Sequence, residues 1–182
     1  MKKNMILIIP VVAVVLLLVG GTYAWFTWSG SQNSNIVLTI GDFAGYAKSS
    51  TNISVSNLAP VLNYQSTTAY SDILVSGTLD TNTYSSAKTT ITLNITSNDF
   101  TGSTNDFKYA VYNKTSSALV SNGILNGKTG SITLYTTTTT STDINLDLRV
   151  YIYIDGTNSN STDYMGKKLV GTLTTTSVGV SK

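Results

Sequence analysis

The longest regular pattern in the chain is Asp143–Ile154. Ile144, Leu146, Leu148, Val150, Ile152 and Ile154 alternate there with Asp143, Asn145, Asp147, Arg149, Tyr151 and Tyr153. Successive side chains of a strand point to opposite faces, so this stretch predicts a strand with one buried and one wet face, about 40 Å long at ~3.3 Å per residue. A slip of one residue would expose all six aliphatics, which pins the register. The same period of two recurs in Asn35–Ile40 (Ile36, Leu38 and Ile40 on one side), Asn52–Asn57, Ser71–Leu79 and Lys88–Thr96, and more briefly in Phe107–Tyr112, Ser131–Thr136 and Lys168–Thr176. Asn122-Gly123, Asn126-Gly127 and Asp155-Gly156 read as tight turns, because these pairs tolerate positive φ. The run Thr136–Thr140 reads as a strand or extended edge, since Thr favours extended backbone. No segment after Gly21 has a helical period. About eight to ten strands with short connections predict an all-β protein, an antiparallel β-sandwich of jelly-roll or immunoglobulin-like type.

The N-terminus breaks this pattern. Lys2 and Lys3 precede an uncharged apolar run, Met5 to Val19, interrupted only by Pro10, and the small residues Gly20 to Ala24 follow. Basic, apolar and small segments in that order make a secretory signal, with Thr22 and Ala24 spaced as the −3 and −1 residues of a cleavage site. Cleavage after Ala24 would leave Trp25 as the new N-terminus. An uncleaved anchor stays open: Met5 to Phe26 carries no charge and is long enough as a helix to cross a ~30 Å hydrocarbon core, with Trp25 and Trp28 at the interface. The predicted organisation is therefore a signal peptide or anchor over 1–24, forming one hydrophobic helix, a tail over 25–35 and a β-sandwich over 36–182. The expected location is the cell surface or the medium, and the membrane is met only through the N-terminal segment if that is retained.

Composition removes most chemistry. The chain has 182 residues, of which 11% are charged, and a net charge of +2. That is far below the roughly 25% charged residues of ordinary soluble domains and lacks the clustered basic footprint of a nucleic-acid binder. His and Cys are absent, and all nine acidic residues are Asp. The lack of His, Glu and Cys removes the commonest general base and most transition-metal ligands and leaves Asp as the only side-chain carboxylate, so neither an enzyme nor a cofactor is expected. Asp143 and Asp147 lie about 13 Å apart along their strand, beyond the spacing of a glycosidase pair. Asp147 and Arg149 are expected to pair on the wet face. The loop Asp155 to Asp163 offers oxygen ligands from Asp155, Asn158, Asn160 and Asp163, a weak calcium candidate set against a solvated hairpin loop. The N-x-[ST] sequons at Asn52, Asn94, Asn113 and Asn160 follow from a chain rich in Ser and Thr.

The stretch Gly20-Gly21-Thr22-Tyr23-Ala24-Trp25-Phe26 resembles the export signal of the TasA/camelysin family of secreted bacterial proteins. The segment Ile53 to Pro60, ending Asn57-Leu58-Ala59-Pro60, is similar to that family's early strand and Asn-Leu-x-Pro turn, although Val61-Leu62 stand where the family has Gly and Asp. The resemblance implies a jelly-roll-type sandwich, removal of the leader after Ala24 by a signal peptidase, and self-association into biofilm-matrix fibres. In those fibres the N-terminal strand of one subunit completes the sheet of the next. Trp25, Phe26 and Trp28, with Ile36, Leu38 and Ile40 behind them, are the candidate assembly segment. Free aromatics at a cut N-terminus are costly in water, and strand addition uses main-chain hydrogen bonds for affinity. Camelysin-type members have been classed as metalloproteases, but the zinc site this requires needs His and Glu, which the chain lacks. The alternative is a membrane-anchored adhesion or ligand-binding module.

Overall fold

A computed structural model describes residues 34–43, 45–102, 104–157 and 164–182. Ten strands form there: β1 (Ser34–Phe43), β2 (Tyr46–Ser56), β3 (Pro60–Val61), β4 (Tyr70–Leu79), β5 (Tyr84–Asn98), β6 (Phe107–Asn113), β7 (Ala118–Ile124), β8 (Gly130–Thr139), β9 (Asp143–Asp155) and β10 (Lys168–Ser181). A 3₁₀ turn, Tyr64–Ser66, interrupts the path from β3 to β4, its N-terminus capped by the Asn63 side chain, which accepts from the Gln65 amide. The N-terminal hydrophobic helix expected from the sequence lies outside the described residues.

The strands make two sheets. One runs β1-β4-β9-β6-β7, with β3 alongside the end of β9; the other runs β2-β10-β5-β8. The apolar positions of the alternating stretches meet between them, with Ile73 and Val75 of β4, Ile91 and Leu93 of β5, and Leu148 and Ile154 of β9 all fully buried. In β9 every aliphatic at an even position points into this core, Leu146 being only half-buried. Each is worth roughly 1.5–3 kcal/mol. A one-residue slip of β9 would thus cost on the order of 10 kcal/mol, comparable with the whole stability of a domain. The threonine run is strand: β8 extends through Thr139 as an edge of the second sheet.

Two expectations need correction. The sheets are not wholly antiparallel, because β1 pairs with β4 and β3 with β9 in parallel. Between β1 and β4 the chain crosses to the other sheet as β2 before returning, and this crossover is the kind of connection that parallel neighbours require. Asn122-Gly123 is not a turn but part of β7, with Gly123 opposite Tyr109. A Cβ on Gly123 would lie 2.6 Å from the Tyr109 ring, so this glycine serves close approach of an aromatic rather than chain reversal. Asn126-Gly127 does turn, with Gly127 at φ +62°, and Asp155-Gly156 closes β9.

Candidate assembly edge

β1 is the edge strand of the first sheet. Its register against β4 is continuous from Ser34 opposite Ser71 to Ile40 opposite Gly77, and resumes after a bulge with Asp42 opposite Thr78. Ile36 and Leu38 are buried at 2% and 6% exposure and belong to the core, whereas Val37 between them is 59% exposed. Ile36 and Leu38 of the candidate assembly segment thus complete the chain's own sandwich here. Ile40 lies in the same strand, while Ala24, Trp25, Phe26 and Trp28 lie outside the described residues.

The side of β1 away from β4 carries main-chain N–H and C=O groups with no strand beside them among the described residues. Such an edge recruits other strands unless it is blocked. Only residues 44 and 45 separate β1 from β2. Gly45 has φ +87°, a conformation that an L side chain rarely adopts, and its carbonyl accepts from the Gly179 amide at 2.9 Å. The strand that fills the edge therefore hangs on a two-residue link with a glycine in it.

The outward face of the same sheet holds chemistry that the sequence pattern does not reveal. Arg149 donates from Nε and Nη2 to the two carboxylate oxygens of Asp72 at 2.6 and 2.7 Å, and its guanidinium carbon lies 4.0 Å from the centre of the Tyr70 ring. The Asp147–Arg149 pair expected along β9 does not form. Asp72 stands directly opposite Arg149 across the β4–β9 ladder, closer than two residues along one strand. Asp147 instead takes Lys114 at 2.7 Å. The fork of Arg149, aided by Lys114, holds the Asp72 carboxyl below the usual carboxylate range, and Asp147 raises Lys114. Around these pairs Tyr64 meets Tyr151 edge-on at 5.4 Å and lies 6.1 Å from Tyr153. Burial raises the hydroxyl pKa of Tyr64 and of Tyr153. The signal was in the odd positions of β9 and in Tyr64 and Tyr70 of the neighbouring segments, but only the cross-strand register brings them together.

Asp155 of the calcium candidate accepts from Lys108 Nζ at 2.7 Å and from both the amide and the hydroxyl of Thr157. Lys108 first, then Thr157, hold its carboxyl down to about 2. Asn158, Asn160 and Asp163 lie outside the described residues. Among the described residues no group of three or more acidic, His or Cys side chains is placed to hold a metal, and no helix is long and apolar enough to cross a membrane.

No protein-family profile and no curated protein matches the chain. Among solved structures it is similar to the insecticidal delta-endotoxin Cry8Ea1 of Bacillus thuringiensis, at 13% identity and a TM-score of 0.33 over 74% of this chain and 20% of that one. A β-glucosidase from Paenibacillus barengoltzii matches at 9% identity and a TM-score of 0.28, over 80% of this chain and 11% of the other. The extra small virus particle of the prawn Macrobrachium rosenbergii matches at 12% identity and a TM-score of 0.21, over 73% and 79%. The chain spans a fifth or less of the first two proteins.

Proposed function

We propose that the chain is a secreted structural subunit of the cell surface, with a jelly-roll-type sandwich as its building block. It assembles into extracellular fibres by strand addition, β1 of one copy lying along β4 of the next. The observation that carries this reading is β1 itself. It is N-terminal, at an edge, parallel to its partner, inserted into the core through Ile36 and Leu38, and joined to the domain by two residues. Every contact it makes with β4 can be made to the β4 of a neighbour, so the closed and the exchanged forms have the same interface and differ mainly in the link and in concentration. The export signal supplies the destination, and the composition without His, Glu or Cys supports a structural rather than catalytic role.

Electron microscopy of the secreted protein tests the reading. Wild-type protein is expected to form filaments, and Ile36→Asn with Leu38→Asn is expected to abolish them while circular dichroism of the remaining sheets persists. A wild-type protein that stays monodisperse and monomeric at every concentration would favour the anchored binding module instead.

A further inference from the structure

Tyr84, the first residue of β5, stands opposite Ser181 of β10, and its backbone amide donates to the Asp80 carbonyl at 2.9 Å. Its half-buried side chain packs against the core. The ring lies across β10 at Gly179, where an added Cβ would come within 2.6 to 2.9 Å of three ring carbons. A glycine at that point is what lets the ring pass. Beyond β10 the ring reaches the start of β2: a Cβ on Gly45 would overlap the Tyr84 hydroxyl. One side chain therefore spans three strands, from β5 across β10 to the residue before β2. The two glycines on its path are also bonded to each other, the Gly179 amide donating to the Gly45 carbonyl at 2.9 Å.

Gly45 is also where β1 has to pivot. From Tyr46, opposite Val178, β2 is laddered to β10, so the chain after Gly45 is fixed by the second sheet. The chain up to Phe43 is fixed by the first, through β4. A β1 that leaves its own sheet for a neighbour's must turn about the link between them. Gly45, at φ +87°, can adopt either sign of φ and so can absorb that turn. We infer that Tyr84 is a bolt on this pivot and sets how readily β1 leaves the domain. The inference rests on the strand-addition reading for its purpose, although the bolt itself acts within one molecule. With the hydroxyl seated against Gly45, and Gly45 bonded to Gly179, rotation at the link has to displace the ring or break that bond. Displacing the ring exposes apolar surface to water, which costs free energy. A subunit with the bolt seated keeps β1 in its own sheet, and one with it withdrawn offers β1 to a neighbour.

Amide hydrogen exchange of the full secreted protein tests the bolt, with filament growth followed in parallel. Tyr84→Phe keeps the ring on Gly179 and removes the atom that meets Gly45. Gly179→Ala keeps the tyrosine and unseats its ring. The first is expected to speed exchange in the β1–β4 ladder several-fold and the second roughly tenfold, while amides at the centres of β5 and β9 keep wild-type rates. In a Tyr84→Ala background, Gly179→Ala is expected to add nothing, because the ring it displaces is gone. Unchanged exchange in the β1–β4 ladder overturns the bolt. Equal acceleration of every amide does so too, since the ring would then serve only the core, and so does an effect of Gly179→Ala that persists without the ring. Faster opening of β1 with no assembly in any variant establishes the bolt and refutes strand addition. Assembly with the opening of β1 unmoved by these variants refutes the bolt and leaves strand addition standing.

Discussion

Thr175 is fully buried on the inward side of β10, and its hydroxyl makes no hydrogen bond among the described residues. Its neighbours solve the same problem by pairing: the Thr89 and Ser177 hydroxyls meet at 2.7 Å. Replacing a buried hydroxyl without a partner by a methyl of the same shape removes a desolvation cost. Thr175→Val is therefore expected to raise stability by about 1 kcal/mol, read as a higher urea midpoint with an unchanged slope; a lower midpoint would show that the hydroxyl is satisfied. Four residues earlier the constraint is steric. A Cβ on Gly171 would lie 2.6 Å from the Asn94 carbonyl oxygen, and backbone cannot rotate away as a side chain can. This glycine sits at the irregular step in the β10–β5 ladder. Gly171→Ala is expected to cost about 2 kcal/mol or more in the same measurement.

Among the elements, β1 is anchored by the buried side chains Ile36 and Leu38 and by its ladder to β4. Leu38→Asn places an amide in the core and is expected to cost about 3 kcal/mol. Because the loss is local to an edge strand, amide hydrogen exchange should show β4 losing protection while β5 and β10 keep theirs. Uniform loss of protection would mean that β1 unfolds only with the whole domain. The legibility of the fold also differs by element. β9 could be read directly, since one face is buried along its entire length, and the cores of β1, β4, β5 and β10 followed for the same reason. β7 could not: Ala118-Leu119-Val120-Ser121-Asn122-Gly123-Ile124 has no alternation, leaves Leu119 and Ile124 exposed as an edge strand can, and contains an Asn-Gly that usually marks a turn. The parallel pairing of β1 was hidden because strand partners are a non-local choice that no residue pattern encodes. For the same reason Arg149 found Asp72, 77 residues away in sequence, instead of Asp147 two residues before it. Ile36 and Leu38 of the candidate edge were legible from their alternation; the tyrosine face was not.

For the whole molecule, the charged groups set the response to pH. Asp155 is held down to about 2 by Lys108 and Thr157, and Asp72 is lowered by Arg149. A carboxyl with a depressed folded pKa contributes stability that is complete above its unfolded value of ~3.9 and is lost as pH falls through the folded value. The chain contains no His, so no imidazole titrates between about pH 5 and 8. The urea midpoint is expected to stay level across that range and to decline from about pH 4 towards 2; a fall between pH 8 and 6 would contradict this. At the same scale lies the question of whether β1 serves its own domain or the next. The chain has no cysteine, and Val37 and Leu74 face each other across the β1–β4 ladder, so a disulfide introduced there reports the pairing directly. The decisive measurement mixes a Val37→Cys subunit with a Leu74→Cys subunit, assembles them and oxidises them. Strand addition predicts heterodimers of the two subunits joined at these positions. It is contradicted if the mixture yields no such species while the double variant, Val37→Cys with Leu74→Cys in one chain, closes only within itself.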